Sequence, residues 1–436
     1  MENEKYFTNK EGHLVIGGVD ALKLALEYGT PLVAYDVSQI RSQIRAFKEA
    51  FAKRKFPAVV SYASKAFSAI AMYQVVAQEK AHIDVVSGGE LYTAIKANFP
   101  MDKISFHGNN KTRAELEMAV EHQVGVIILD NFYEIELLSE VLAEQDKNIR
   151  VMLRLTPNVS AHTHEYIQTG QADSKFGFDI TTGQAHSALK KVQANPQMEL
   201  IGLHAHIGSQ ISAVAGFQME VANLFKLINQ WNAQDHYQPK VINLGGGFGI
   251  RYTEEDEVLA PDVFVGAIVD EVKAQCDQLN LKVPEIWIEP GRSIVGAAGY
   301  SLYTVGSRKN LPGMTDYLTV NGGMGDNIRP ALYQAKYEAV LANNPTAASV
   351  EKVHLAGRYC ESGDILIDEQ SLPATKPGDI IAILKTGAYG YSMASNYNRV
   401  PRPSVVFCEN GYAQIVVKRE TYDDLVSNDC FLEKEL

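Results

Sequence analysis

Pro57-Ala58-Val59-Val60-Ser61-Tyr62-Ala63-Ser64-Lys65 decides the fold. A short run of β-branched and aromatic residues closes on small residues and a lysine, and the next stretch, Ser68–Glu79, has helical spacing. The unit recurs along the chain. Strand-like runs fall at Ala58–Tyr62, His82–Val86, Lys103–Phe106, Gly125–Leu129, Arg150–Leu155, Leu200–His206, Lys240–Leu244 and Glu285–Glu289. Helical patterns separate them, among them Glu90–Ala97, Arg113–His122, Glu134–Ala143, Ala185–Ala194, Gly216–Trp231 and Pro261–Leu279. Eight such units between Pro57 and Arg292 match a (β/α)8 barrel, which typically takes about 250 residues. An open doubly wound sheet needs fewer strands.

Beyond Arg292 the texture changes to short runs rich in Val, Ile, Tyr, Gly and Pro, such as Asp379–Leu384 and Gln414–Lys418, which reads as a mostly β domain. Leu14–Ile16 and Leu32–Tyr35 are β-like and stand outside the barrel count. The expected fold class is α/β: an N-terminal segment, residues 1–35, that joins the β domain, a barrel over 36–295, and a C-terminal mostly-β domain over 296–436.

With 436 residues, 46% of them hydrophobic, the chain can bury a large core, and 21% charged residues without low-complexity runs argue against disorder. A net charge of -12 argues against a general nucleic-acid or anionic-membrane binder. Cys276, Cys360, Cys408 and Cys430 form no CxxC pair and read as reduced thiols of a cytoplasmic protein. Met1–Lys10 is polar and mixed in charge, unlike a secretory leader, and no apolar run is long enough to span a membrane.

Chemistry in such a barrel sits at the C-terminal strand ends. There the sequence places Lys65, Asp84, His107, Arg154, His204-Ala205-His206-Ile207-Gly208-Ser209, Gly245-Gly246-Gly247 and Glu289-Pro290-Gly291-Arg292. Consecutive glycines let backbone N–H groups approach an anion, although a tight turn alone needs them too. The Ser209 hydroxyl and Arg292 tilt the reading toward a phosphate. No GxxxxGK[ST] is present, so nucleotide hydrolysis is not expected. His204 and His206 share one face of a strand. They could be a metal pair, packed core imidazoles, or a ring stacked on an aromatic cofactor; no third ligand at suitable spacing is evident, though His107, His162 and His164 exist, and no metal is expected. Lys65 could be a solvated charge, but a desolvated lysine near another cation forms Schiff bases. Glu289 could keep a pyridine nitrogen protonated. Together lysine, phosphate cradle, imidazole and carboxylate describe a site for pyridoxal 5'-phosphate (PLP). Ser160–Ser174, polar and containing Gly170, reads as either a lid or a surface loop.

In their order, Tyr62–Lys65, His206–Ser209, Gly245–Gly247 and Glu289–Arg292 resemble the signature of the fold-type III PLP-dependent decarboxylases, and the resemblance runs from Gly29-Thr30-Pro31-Leu32 into the C-terminal domain. It implies an alanine-racemase-type barrel with a C-terminal β domain. It implies Lys65 as the lysine that holds PLP, His206 on the ring, Glu289 on the pyridine nitrogen, and Ser209, Gly245 to Gly247, Gly291 and Arg292 around the phosphate. Asp84 and Glu90 match acidic positions near that lysine, and Tyr389 matches a tyrosine near phosphate and substrate.

Basic-amino-acid members of the family carry an acidic residue after a Val-Asn-Asp-Gly-like turn. Here the turn reads Val320-Asn321-Gly322-Gly323-Met324, followed by Arg329-Pro330-Ala331-Leu332-Tyr333. This is similar to the branch that acts on meso-2,6-diaminopimelate, where the matching Arg and Tyr hold a substrate carboxylate, and Arg292 is expected among the substrate-binding residues; Arg329 is a planar, bidentate carboxylate partner. Many members of that branch carry Asp where Asn321 stands. In that branch the Cys and Glu of Cys360-Glu361-Ser362-Gly363-Asp364 reach the partner's site, which implies a homodimer with active sites at the subunit interface. Catalytic roles for Lys65, His206 and Cys360, and decarboxylation of diaminopimelate to L-lysine and CO2 as the last step of lysine biosynthesis, follow from the resemblance. A carboxynorspermidine, ornithine or arginine decarboxylase and a non-catalytic PLP-binding barrel are the alternatives.

Overall fold

The computed structural model describes residues 7–159 and 174–433; of Ser160–Ser174, with His162 and His164, all but Ser174 lie outside the described residues. The chain divides into two compact units. One comprises residues 41–251 and 257–294, the other residues 1–40, 252–256 and 295–436.

The first unit is a closed barrel of eight parallel strands: β1 (Ala58–Ala63), β2 (His82–Val85), β3 (Ile104–Phe106), β4 (Val126–Leu129), β5 (Ile149–Thr156), β6 (Met198–Ala205), β7 (Val241–Asn243) and β8 (Glu285–Ile288). Neighbours in sequence pair in order, and Ile286↔Ala58 joins β8 back to β1. A two-residue strand, Phe178–Asp179, adds beside the end of β5. Three of the intervening helices start at polar caps. Ser87 accepts from the N–H of Glu90, Thr112 and Glu115 form a capping box, and Asn131 accepts from the N–H of Glu134. Gly202 in β6 lies so close to β7 that a Cβ there would sit 2.2 Å from the Val241 carbonyl oxygen.

Alternation along the strands positions the site. Residues two apart share a face, and on most strands the inward row climbs from apolar to polar. Val59, Ile128, Met152, Ile201, Val241 and Trp287 pack together as an apolar plug. Two residues further on stand Ser61, Asp130, Arg154, Asn243 and Glu289. On β2 the same step leads from His82, whose ring meets Trp287 edge-on, to Asp84. A register shift between Leu200 and Gly202 sets His204 opposite Arg154, in the polar layer. That layer needs the plug beneath it: a dry floor makes every charge above it strong.

The second unit holds a nine-stranded sheet in which Gly299–Lys309 is central. Leu32–Asp36 pairs antiparallel with it and parallel with Ser404–Glu409, so the N-terminal strand is built into the same sheet. Leu14, Ile16, Leu24, Leu32, Leu302, Ala382 and Val406 form its core. Tyr252–Asp256 belongs to this unit although it interrupts the barrel sequence.

One buried ion pair braces the barrel. Lys111 Nζ lies 2.7 Å from Glu134 Oε1 and also donates to the carbonyls of Gly108 and Ile128, with both side chains 2% exposed or less. Removing the cation strands a buried carboxylate. Lys111→Met is expected to cost about 3–5 kcal/mol, read as a lower urea midpoint of the purified protein; an unchanged midpoint refutes the brace.

Candidate active site

Lys65 stands on a single 3-10 turn, Ser64–Ala66, directly after β1. Its neighbours hold that turn rigidly. The Ser64 N–H donates to Asp84 Oδ1 at 2.9 Å, and the Ser64 hydroxyl donates to Glu90 Oε2 at 2.9 Å. Glu90 is itself fixed by the Val86 N–H at 2.7 Å, and the Tyr62 hydroxyl accepts from the Phe67 N–H while donating to its carbonyl. Ser64 and Ala66 are buried while Lys65 is exposed, so its ammonium is the one group the turn presents.

The electrostatics separate the acids by role. Glu289 is buried, and burial opposes its charged form, but His107 and His204 outweigh that and hold its carboxyl well below the usual range. Asn243 Nδ2 donates to Glu289 Oε1 at 2.6 Å, His107 Nε2 lies 2.9 Å from the same oxygen, and His204 Nε2 lies 3.3 Å from Oε2. Burial pushes both imidazoles down, His204 to about 4, so each is neutral at pH 7. Asp84 goes the other way. Burial first, then the Glu289 charge, raises it well above the ordinary range, against the pull of Lys65. Glu90 is raised too, chiefly by burial. Around the lysine, therefore, the environment keeps Glu289 ionised and pushes Asp84 and Glu90 toward their neutral forms.

His206 follows β6. Burial and then the Lys65 charge keep it far below its ordinary value, and its Nδ1 accepts from the Gly246 N–H at 3.2 Å, leaving a neutral ring with its proton on Nε2. The Gly245–Gly247 turn tolerates no side chain. A Cβ would lie 2.7 Å from His206 Nδ1 at Gly245, 2.1 Å from the Glu289 carbonyl at Gly246 and 2.3 Å from the Gly208 carbonyl at Gly247. Asn243 Oδ1 accepts from the Gly245 N–H, which ties this turn to Glu289. Arg292 Nη2 donates to Ser209 Oγ at 3.0 Å, and a Cβ at Gly291 would lie 2.8 Å from the Ala63 Cβ. An aldehyde cofactor with an anionic tail and a basic ring nitrogen needs an amine, an anion-binding pole and a carboxylate. This unit supplies Lys65, then Ser209 with Arg292 and the glycine turn, then Glu289; the residues present fit such a group.

In the second unit Arg329 is buried, 7% exposed, and donates to the hydroxyls of Tyr252 at 3.0 Å and Tyr337 at 2.5 Å, whose rings flank it. Tyr333, one turn further along the same short helix, is 39% exposed. Cys360 and Glu361 are exposed, with the Cys360 N–H donating to Asn398 Oδ1. Tyr389 is half-buried and held at φ +61°. Asn321 ties two segments together, accepting from the Thr304 N–H and donating to the Thr30 hydroxyl.

The family profile of the pyridoxal-dependent decarboxylase pyridoxal-binding domain matches residues 37–296. The Bacillus subtilis (strain 168) diaminopimelate decarboxylase is 56% identical over 97% of this chain and 96% of its own, and that of Staphylococcus aureus (strain COL) is 46% identical over 97% and 98%. The chain belongs to the diaminopimelate decarboxylase family. Its solved relatives agree: the M. jannaschii diaminopimelate decarboxylase superposes with a TM-score of 0.92 at 33% identity over 99% of both chains. The Helicobacter pylori enzyme, solved with L-lysine, gives 0.84 at 29% identity over 93% and 98%. As a member of this decarboxylase family the chain is a PLP-dependent enzyme with a (β/α)8 barrel and a mostly-β domain. Among the described residues no helix is long and apolar enough to cross a membrane.

The ligand atoms of His107, His204 and Glu289 lie within 4.8 Å of one another. In a PLP decarboxylase this geometry serves the carboxylate: two neutral imidazoles and an amide stabilise a buried charge. The sequence marks His107 only as a strand-end polar residue and a possible metal ligand and gives Asn243 no motif, although the period of β7 places Asn243 on the same inward row as Gly245. Tyr252 and Tyr337 carried no signal, lying 77 and 8 residues from Arg329.

Because the folded pKa of Asp84 is raised, the folded protein keeps this proton at pH values where the unfolded chain has lost it. Stability associated with Asp84 is full below the ordinary carboxylate range and declines as pH rises through and above it. Asp84→Asn is expected to remove that decline. Urea midpoints of the holoenzyme measured from pH 4 upward should flatten in the variant; identical slopes would count against a protonated Asp84.

Proposed function

We propose that this enzyme decarboxylates meso-2,6-diaminopimelate to L-lysine and CO2, the last step of lysine biosynthesis. The observation that carries the substrate is Arg329. Its side chain is buried, yet its partners among the described residues are two tyrosine hydroxyls and no carboxylate. A buried cation without a counter-charge is costly, and a substrate carboxylate supplies it; a distal amine would be repelled. The diaminopimelate decarboxylase relatives, two of them solved with L-lysine, support the same reading.

Bound at Lys65, PLP supplies an electron sink for the pair left when CO2 departs. Lys65 is the amine that would hold the cofactor. Glu289, ionised, would favour a protonated ring nitrogen, and neutral His206 would border the ring without adding charge. Ser209, Arg292, the Gly245–Gly247 turn and Gly291 would hold the phosphate, with Tyr389. Asp84 and Glu90 set the orientation of the lysine through Ser64. Arg329 and Tyr333, with Arg292, bind carboxylate, and Glu361 binds the distal ammonium. Cys360 returns a proton from Sγ to the α-carbon. Cys360 and Glu361 are exposed on a formed loop, which suits delivery into the site of a second copy and hence a homodimer. The free cysteines and acidic surface suit the cytoplasm.

Purified protein with PLP is expected to release lysine and CO2 in equal amounts from meso-diaminopimelate, and no CO2 from ornithine, arginine or carboxynorspermidine. Turnover of one of those instead overturns the substrate. In Lys65→Ala, both turnover and the visible absorbance of the bound cofactor should vanish. Arg329→Ala should lower kcat/KM for diaminopimelate by about 10- to 100-fold, the worth of a charge-assisted hydrogen bond; an unaffected kcat/KM rules out the carboxylate role.

A further inference from the structure

Cys360 and Glu361 are exposed, so something must fix the loop that presents them. The groups around that loop converge on one buried side chain. We propose that Asp364 is a positioning residue that locks the Cys360–Glu361 loop against the Gly322–Met324 turn, just ahead of Arg329. The proposal rests on the decarboxylase reading above, in which Cys360 and Glu361 act on the substrate.

Asp364 is 3% exposed. Its Oδ2 accepts from the Tyr359 N–H at 2.8 Å, within its own loop, and its Oδ1 accepts from the Met324 N–H at 2.6 Å, across to the other turn. Its backbone closes the loop at both ends: the Gly357 N–H donates to the Asp364 carbonyl at 2.9 Å, and the Asp364 N–H donates to the Glu361 carbonyl at 3.1 Å. The Arg358 N–H adds a second strut to the Gly322 carbonyl at 2.9 Å. The carboxylate has no room to move. A Cβ at Gly357 would lie 2.2 Å from Oδ2, one at Gly323 2.5 Å from Oδ1, and one at Gly325 2.1 Å from the Tyr359 hydroxyl. Asp326 does not duplicate it: its carboxylate accepts from the Gly323 N–H within its own turn. The bland alternative is that Asp364 only satisfies buried N–H groups; it predicts a loss of stability that is independent of Cys360.

A double-mutant cycle separates the two. Asp364→Asn keeps the shape but turns one acceptor into a donor, so one of the two N–H groups loses its partner. In the holoenzyme this variant should retain the cofactor's visible absorbance and lower kcat by about 10- to 100-fold, the usual effect of misplacing a reacting group by about 1 Å. Combined with Cys360→Ala, it should be no slower than Cys360→Ala alone, since residues that act as a unit are not additive. Losses that multiply, or an unchanged kcat in Asp364→Asn, overturn the proposal. Full activity of Cys360→Ala by itself instead removes the proton-return role assigned above; the cycle is then read on KM with Glu361→Ala, by the same criterion. Should Asp364→Asn not fold, Gly357→Ala presses on Oδ2 from the opposite side and must reproduce the kcat loss, or the proposal fails.

Discussion

A buried, ionised carboxylate is the constraint around which the first unit is organised. Glu289 is charged only because Asn243, His107 and His204 converge on it, and each does so from a different strand end. The cost of such a charge is several kcal/mol if it is left unpaired. Its neighbours are adjusted to it: Asp84 is pushed toward its protonated form and His206 toward its neutral form. The apolar plug of Val59, Ile128, Met152, Ile201, Val241 and Trp287 seals the floor, so the field of Glu289 is not screened from below.

The second unit solves a related problem by other means. Arg329 is a buried cation held by aromatic faces and hydroxyls, a surrounding that fixes its plane without cancelling its charge. Glycines recur where loops must touch: Gly245 to Gly247 beside His206, and Gly323 and Gly357 beside Asp364. In both units a missing Cβ lets backbone meet a functional side chain at hydrogen-bond distance.

The eight strands follow the runs read from composition and spacing, with edges displaced by only one or two residues, because a parallel barrel strand is a short apolar run closed by glycine or a polar group. Lys65, Glu289 and the glycine turn were legible for the same reason: they interrupt such runs at one end. The partners of those groups were harder to see. Asn243 looks like an ordinary strand residue, and Tyr252 lies in a stretch that breaks away from the barrel to join the other unit.

By itself the sequence determined the periodicity, hence the barrel, the inward rows and the family. Both the β-then-α alternation and the ordered motifs are local properties of the chain. Only the tertiary structure decided which carboxylates are charged and which side chain locks a loop. Protonation depends on burial and on the sum of charges from strands far apart in sequence, and no local pattern encodes that sum.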